Sequence, residues 1–141
     1  MTSIALLFTL AAIGIAETAY LIRKRIEAEK PICPIGGGCA QVLNSQYNRI
    51  FGIHNDVLGM LFYCAVAVWT GLLVVGAEPL FAWNLLIAVA IGGALVMSAY
   101  FVYLQWRVIH AWCFWCLMSA STILLMATIL AIHGLVLITS V

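Results

Sequence analysis

Three long stretches of this chain carry no charged residue: Asp56 to Glu78, Glu78 to Arg107, and everything after Arg107. A fourth, from Ile4 to Ile22, is interrupted only by Glu17. Each reaches the ~20 residues an α-helix needs to cross ~30 Å of hydrocarbon. The chain is 66% hydrophobic and 8% charged, far below the roughly 25% charge of soluble domains, which excludes an ordinary soluble fold. The expected class is an all-α membrane protein: one four-transmembrane-helix bundle over residues 1–141, with spans near 4–22, 57–77, 80–106 and 112–136.

Punctuation places the boundaries. Arg23, Lys24 and Arg25 close the first span, and Pro31, Pro34 and the Gly36 to Gly38 run keep the chain out of helix until about Ala40. Glu78-Pro79 turns the second span into the third. The first loop, Arg23 to Asp56, is the only long connection, and Ala40 to Ile50 within it is expected to form a short helix lying on the bundle. The first span is long for a signal peptide, lacks a basic leader and ends in a basic cluster, so a retained helix is expected.

With an even number of spans, both termini lie on one side. The first loop and the third-to-fourth connection share the other, and there lie Cys33, Cys39, Cys113 and Cys116. Cys64, alone in the second span, reads as a small hydrophobe. In Cys113-Phe114-Trp115-Cys116 the sulfurs fall on one side of one helical turn, and the helix N-terminus lowers the pKa of the first thiol, which is redox geometry. Cys33 and Cys39 flank a glycine-rich segment that can swing between an outside partner and the helix-mouth dithiol. Three other readings stay open: an incidental Cys-X-X-Cys, a static loop disulfide, and a four-cysteine zinc site, although only one pair has the close spacing that zinc sites favour.

The order of elements is specific. A loop cysteine pair is followed by Ser45, by Phe51-Gly52-Ile53, by Asn55 and Gly59 entering a span, and by Cys-X-X-Cys opening the last span. Over essentially the whole chain this resembles the vitamin K epoxide reductase family, and within it a prokaryotic homologue. The resemblance implies a four-helix membrane oxidoreductase that couples thiol–disulfide exchange to a quinone; prokaryotic homologues oxidise thioredoxin-like proteins and so drive disulfide formation.

Carried over, the resemblance makes Cys116 the residue that faces the quinone and Cys113 the one that exchanges with the loop. Cys39 would be the loop cysteine that meets Cys113, and Cys33 the one that meets the external partner. Ser45 matches a loop serine near the substrate, and Asn55 an asparagine that hydrogen-bonds a quinone carbonyl. An amide N–H at the mouth of an apolar pocket has an independent reason to stabilise developing negative charge, while a helix cap is the alternative role for Asn55. Phe62, Phe114 and Trp115 are the expected walls of the quinone site. Trp106 and Trp112 fit the aromatic belt of a membrane interface better. His54 and His110 are near enough to this face to relay protons; a haem held by the two histidines is a further alternative, and His133 marks the opposite membrane edge.

One departure matters. Where animal members carry a tyrosine four residues after the second cysteine of the motif, this chain has Ala120. A ubiquinone-like or menaquinone-like acceptor is therefore expected rather than vitamin K epoxide. The chain ends soon after its fourth span, so the thioredoxin-like redox partner is expected to act in trans.

Arg23, Lys24, Arg25, Lys30, Arg49 and Arg107 all fall on the cysteine side. By the positive-inside rule this multi-pass protein of the cell membrane then turns its redox face to the cytosol, with the extracytoplasmic side as the alternative. That orientation suits an organism whose cytosolic proteins carry disulfides. The competing function class is a non-catalytic membrane scaffold or transporter subunit with a structural disulfide or zinc site. Glu17 supports it, because an acidic residue inside a span is a functional candidate; Glu17 is expected about one turn deep, within reach of head groups or Arg23.

Overall fold

The computed structural model describes residues 2–34 and 37–139, with 134–139 as backbone alone; Gly36 of the expected glycine breaker lies outside the described residues. Helix α1 spans Thr2–Ile26, a short α2 spans Cys39–Leu43, and α3, α4 and α5 span Asn55–Val75, Leu80–Leu104 and Phe114–Thr139. Four helices, α1, α3, α4 and α5, are long and apolar enough to cross a membrane. The all-α bundle read from the sequence is the fold of the protein.

The loop departs from expectation. In place of one helix over Ala40 to Ile50, α2 ends at Leu43, a 3₁₀ turn follows at Gln46–Asn48, and Arg49–Ile50 (β1) pairs antiparallel with Ile53–His54 (β2). The connection uses Phe51 and Gly52, both at positive φ, the two-residue turn that matches strand twist. A strand of two residues is too short for alternation to announce it. The basic cluster also does not stop α1, which runs on to Ile26. Arg23 pairs with Glu27 one turn ahead at 2.9 Å, so the exposed charge is compensated while the backbone stays helical.

The bundle core is built from Leu7, Ala11, Tyr63, Val66, Ile87, Ile91, Ile123 and Met126. Gly14 sets how closely α1 and α3 approach: a Cβ there would collide with the Tyr63 ring. That ring is fully buried, and its hydroxyl shares a 2.7 Å hydrogen bond with Ser119 Oγ on α5. Arg25 Nε donates to the buried Asp56 carboxylate at 2.9 Å and ties the end of α1 to the start of α3. Large apolar side chains such as Leu61, Val68, Val89 and Leu124 cover the outside, as a lipid-facing surface requires.

Glu17 does not reach out toward Arg23: it is buried inside the bundle, beside the Thr122 side chain of α5.

Candidate active site

At one end of the bundle a second, smaller apolar cluster joins the first loop to the start of α5. Cys39, Val42, Ala111 and Cys113 are buried in it, with Cys33, Phe114, Trp115 and Cys116 packed around them. The four motif cysteines therefore converge, although their two pairs lie more than seventy residues apart in sequence.

The loop is held over α5 at defined points. Ile32, the residue before Cys33, donates its backbone N–H to Tyr20 Oη at 3.0 Å, and its carbonyl accepts from Trp115 Nε1 at 2.8 Å. The Tyr20 and Trp115 rings stack with centroids 4.6 Å apart. Gly38 lies against the Trp112 backbone, where a Cβ would stand 2.6 Å from the carbonyl oxygen. Glycine is the residue that lets two backbones come this close, and it brings Cys39 up to Cys113.

Cys33 and Cys39 are joined in a disulfide, whereas Cys113 and Cys116 are free thiols. Cys113 immediately precedes α5, and its carbonyl accepts the N–H of Leu117 at 3.0 Å. The Cys116 thiol donates to Cys113 and holds its pKa below the ordinary thiol value; burial opposes this, and the backbone N–H groups of Cys116 and Trp115 reinforce it. Those N–H groups are the unpaired donors of a helix N-terminus. Cys113 is thus the member of the pair that more readily carries the thiolate. Cys64 lies apart on α3, in contact with Met60 Sδ at 3.7 Å.

Cys116 also lines a narrow cleft between the loop, α3 and the end of α4. Val42, Phe101 and Ile109 form its apolar wall, and Ser45, Asn55 and Gln105 supply polar groups. Ser45 Oγ donates to the carbonyl of Val42 at 2.7 Å, which orients the loop above the cleft. Asn55 is the first residue of α3; His54 holds the cap position, with no side-chain capping bond. The cap role considered for Asn55 is therefore not the one it has here, and its amide is free to face the cleft. The cleft is tight, with room for roughly a single water. A larger guest has to displace the loop.

Phe62, Phe114 and Trp115 are not among the residues lining the cleft. Phe62 packs on the bundle core beside Tyr63, and Phe114 and Trp115 are committed to the cysteine cluster and to Ile32. Helical rotation turns them away: Cys116 faces the cleft, so its immediate neighbours cannot all face it too. Trp106 and Trp112 are exposed, as an interfacial belt requires.

Gln105 is the residue that motif reasoning passed over. It is one of few polar side chains between Pro79 and Trp106, and a carboxamide in an otherwise apolar span was the available signal. It opens a π-helical turn, Gln105–Ile109, that carries α4 toward His110 and the cysteine motif. Its Oε1 accepts the backbone N–H of Cys113 at 2.8 Å.

Residues 5–131 match the vitamin K epoxide reductase family. The chain belongs to the vitamin K epoxide reductase family. A relative is the thiol-disulfide oxidoreductase LTO1 of Arabidopsis thaliana, 35% identical over 117 residues, covering 74% of this chain and 29% of that protein. The chain thus spans less than a third of the length of that relative. Family membership accounts for the convergence of a loop disulfide and a helix-mouth dithiol, and it supports a disulfide-forming redox role for this multi-pass membrane protein.

Proposed function

We propose that this member of the family is a quinone-dependent thiol–disulfide oxidoreductase that oxidises a thioredoxin-like protein in trans, as prokaryotic members do. The observation that carries the reading is a loop disulfide packed against a free dithiol whose second cysteine lines a cleft. A structural scaffold has use for the disulfide but not for the adjacent dithiol with its depressed first thiol.

A thiolate of the reduced partner attacks the Cys33 sulfur, freeing Cys39; the partner's second thiol then resolves the mixed disulfide and leaves oxidised partner and a loop dithiol. Cys39 attacks Cys113 of the oxidised motif and releases Cys116, and Cys33 then attacks Cys39 and releases Cys113. Loop oxidised and motif reduced is the state of the cysteines in this structure. When bound, the quinone accepts the two electrons and two protons of the Cys113 and Cys116 dithiol.

The cleft suits such an acceptor: apolar walls for a ring, and the Asn55 amide for a carbonyl oxygen. Ser45 holds the loop that must shift to admit a ring. Ala120, standing where animal members carry a tyrosine, favours a ubiquinone-like or menaquinone-like acceptor over vitamin K epoxide. We place the redox face on the cytosolic side, because all six basic residues lie at that end; impermeant labelling of reduced Cys33 from either side of sealed vesicles decides this.

The test is quinone reduction by the purified protein in detergent, driven by dithiothreitol or a reduced thioredoxin-like protein. Turnover with the wild type and none with Cys116→Ala is the expected result. A folded wild type that reduces none of several quinones would overturn the reading and leave a structural role for the loop disulfide.

A further inference from the structure

We propose that Gln105 is a second hydrogen-bond donor to the acceptor in the Cys116 cleft, engaging a quinone carbonyl other than the one Asn55 holds. The proposal rests on the quinone reading above and adds to it a residue that positions the ring.

Gln105 is 1% exposed. Its Oε1 takes the Cys113 N–H, and an N–H requires an acceptor, so the orientation of the amide is settled by chemistry. The NH₂ end is therefore the one left over. Among the described residues that Nε2 is buried without a hydrogen-bond partner. Gln105 also lines the cleft that contains Cys116. A buried donor without an acceptor is unfavourable, and an unpaired one in a native structure calls for a ligand or another specific role.

The backbone agrees. Gln105 begins the π-helical turn between α4 and the cysteine motif, and π-turns within helices are frequent at functional sites. Asn55 reaches the cleft from the start of α3 and Gln105 from the end of α4. Two amide donors on different helices, with Cys116 lining the same space, suit a ring with two carbonyls. Because the same side chain holds Cys113 N–H, Gln105 also links the position of the acceptor to the mouth of α5.

The experiment measures binding of 1,4-naphthoquinone to purified, detergent-solubilised protein by tryptophan fluorescence quenching, and the carbonyl stretching bands of the bound quinone by infrared difference spectroscopy. Gln105→Met removes both ends of the amide; Gln105→Glu keeps an acceptor for Cys113 N–H and replaces the amide donor. Each is expected to raise the dissociation constant about five- to tenfold. One carbonyl band should move to higher frequency in Gln105→Met, and a different one in Asn55→Ala. A folded Gln105→Met or Gln105→Glu with unchanged affinity and unmoved bands overturns the assignment while leaving the quinone reading intact. If the wild type itself neither quenches nor shows bound carbonyl bands, both fall together.

Discussion

Gly38 and Trp112 are in backbone contact, and a methyl group on Gly38 would stand 2.6 Å from the Trp112 carbonyl oxygen. Each immediately precedes a motif cysteine, Cys39 and Cys113. The contact therefore sets the separation between the two disulfide-exchange partners. Gly38→Ala is expected to slow transfer from the loop dithiol to the Cys113–Cys116 disulfide by about ten- to a hundredfold, as a misplacement of about 1 Å does. Rapid-quench alkylation followed by mass analysis measures it. An unchanged internal rate would show that the loop cysteines do not depend on this approach.

Cys113 is expected to ionise below an ordinary thiol. Its anion is held by the Cys116 thiol and by backbone N–H groups at the mouth of α5. A lowered pKa means thiolate persists to lower pH, so the thiolate absorbance of the reduced protein should begin to rise at a pH where a free cysteine is still protonated. Cys116→Ala removes the donor and should move that rise to higher pH. An unmoved titration would assign the stabilisation to the helix terminus alone.

Gly14 and Gly71 make an internal comparison. A Cβ on Gly14 meets the buried Tyr63 ring, whereas among the described residues nothing lies within 4 Å of one on Gly71. Gly14→Ala is expected to cost about 1–3 kcal/mol through overpacking. Gly71→Ala should be neutral or gain up to about 1 kcal/mol. Unfolding in mixed micelles, monitored by circular dichroism, separates the two.

The Arg25–Asp56 pair should be asymmetric. The Asp56 side chain is 4% exposed and that of Arg25 35%. Arg25→Met strands a buried carboxylate, at an expected cost of about 3 kcal/mol. Adding Asp56→Asn should recover part of that loss, and a double-mutant cycle measures the recovery. Strict additivity would mean the two ends of α1 and α3 are held together by other contacts.

Much of this protein was legible in its sequence because crossing a bilayer is a one-dimensional requirement. Length and lack of charge decide it, so four spans, the position of the long loop and the shared end for Cys33, Cys39, Cys113 and Cys116 all follow from residue order. What residue order could not decide is which way each helix faces. In a soluble bundle, an apolar stripe marks the buried side; here Leu61 against lipid and Val66 in the core are equally apolar, so the stripe vanishes. Rotation is set instead by contacts such as Gly14 beneath Tyr63 and Gly38 against Trp112, which exist only once the helices pack. Those contacts turn Trp115 toward Ile32, leave Phe62 against the core, bury Glu17 between helices, and bring Gln105 from the far end of another span to the backbone of Cys113.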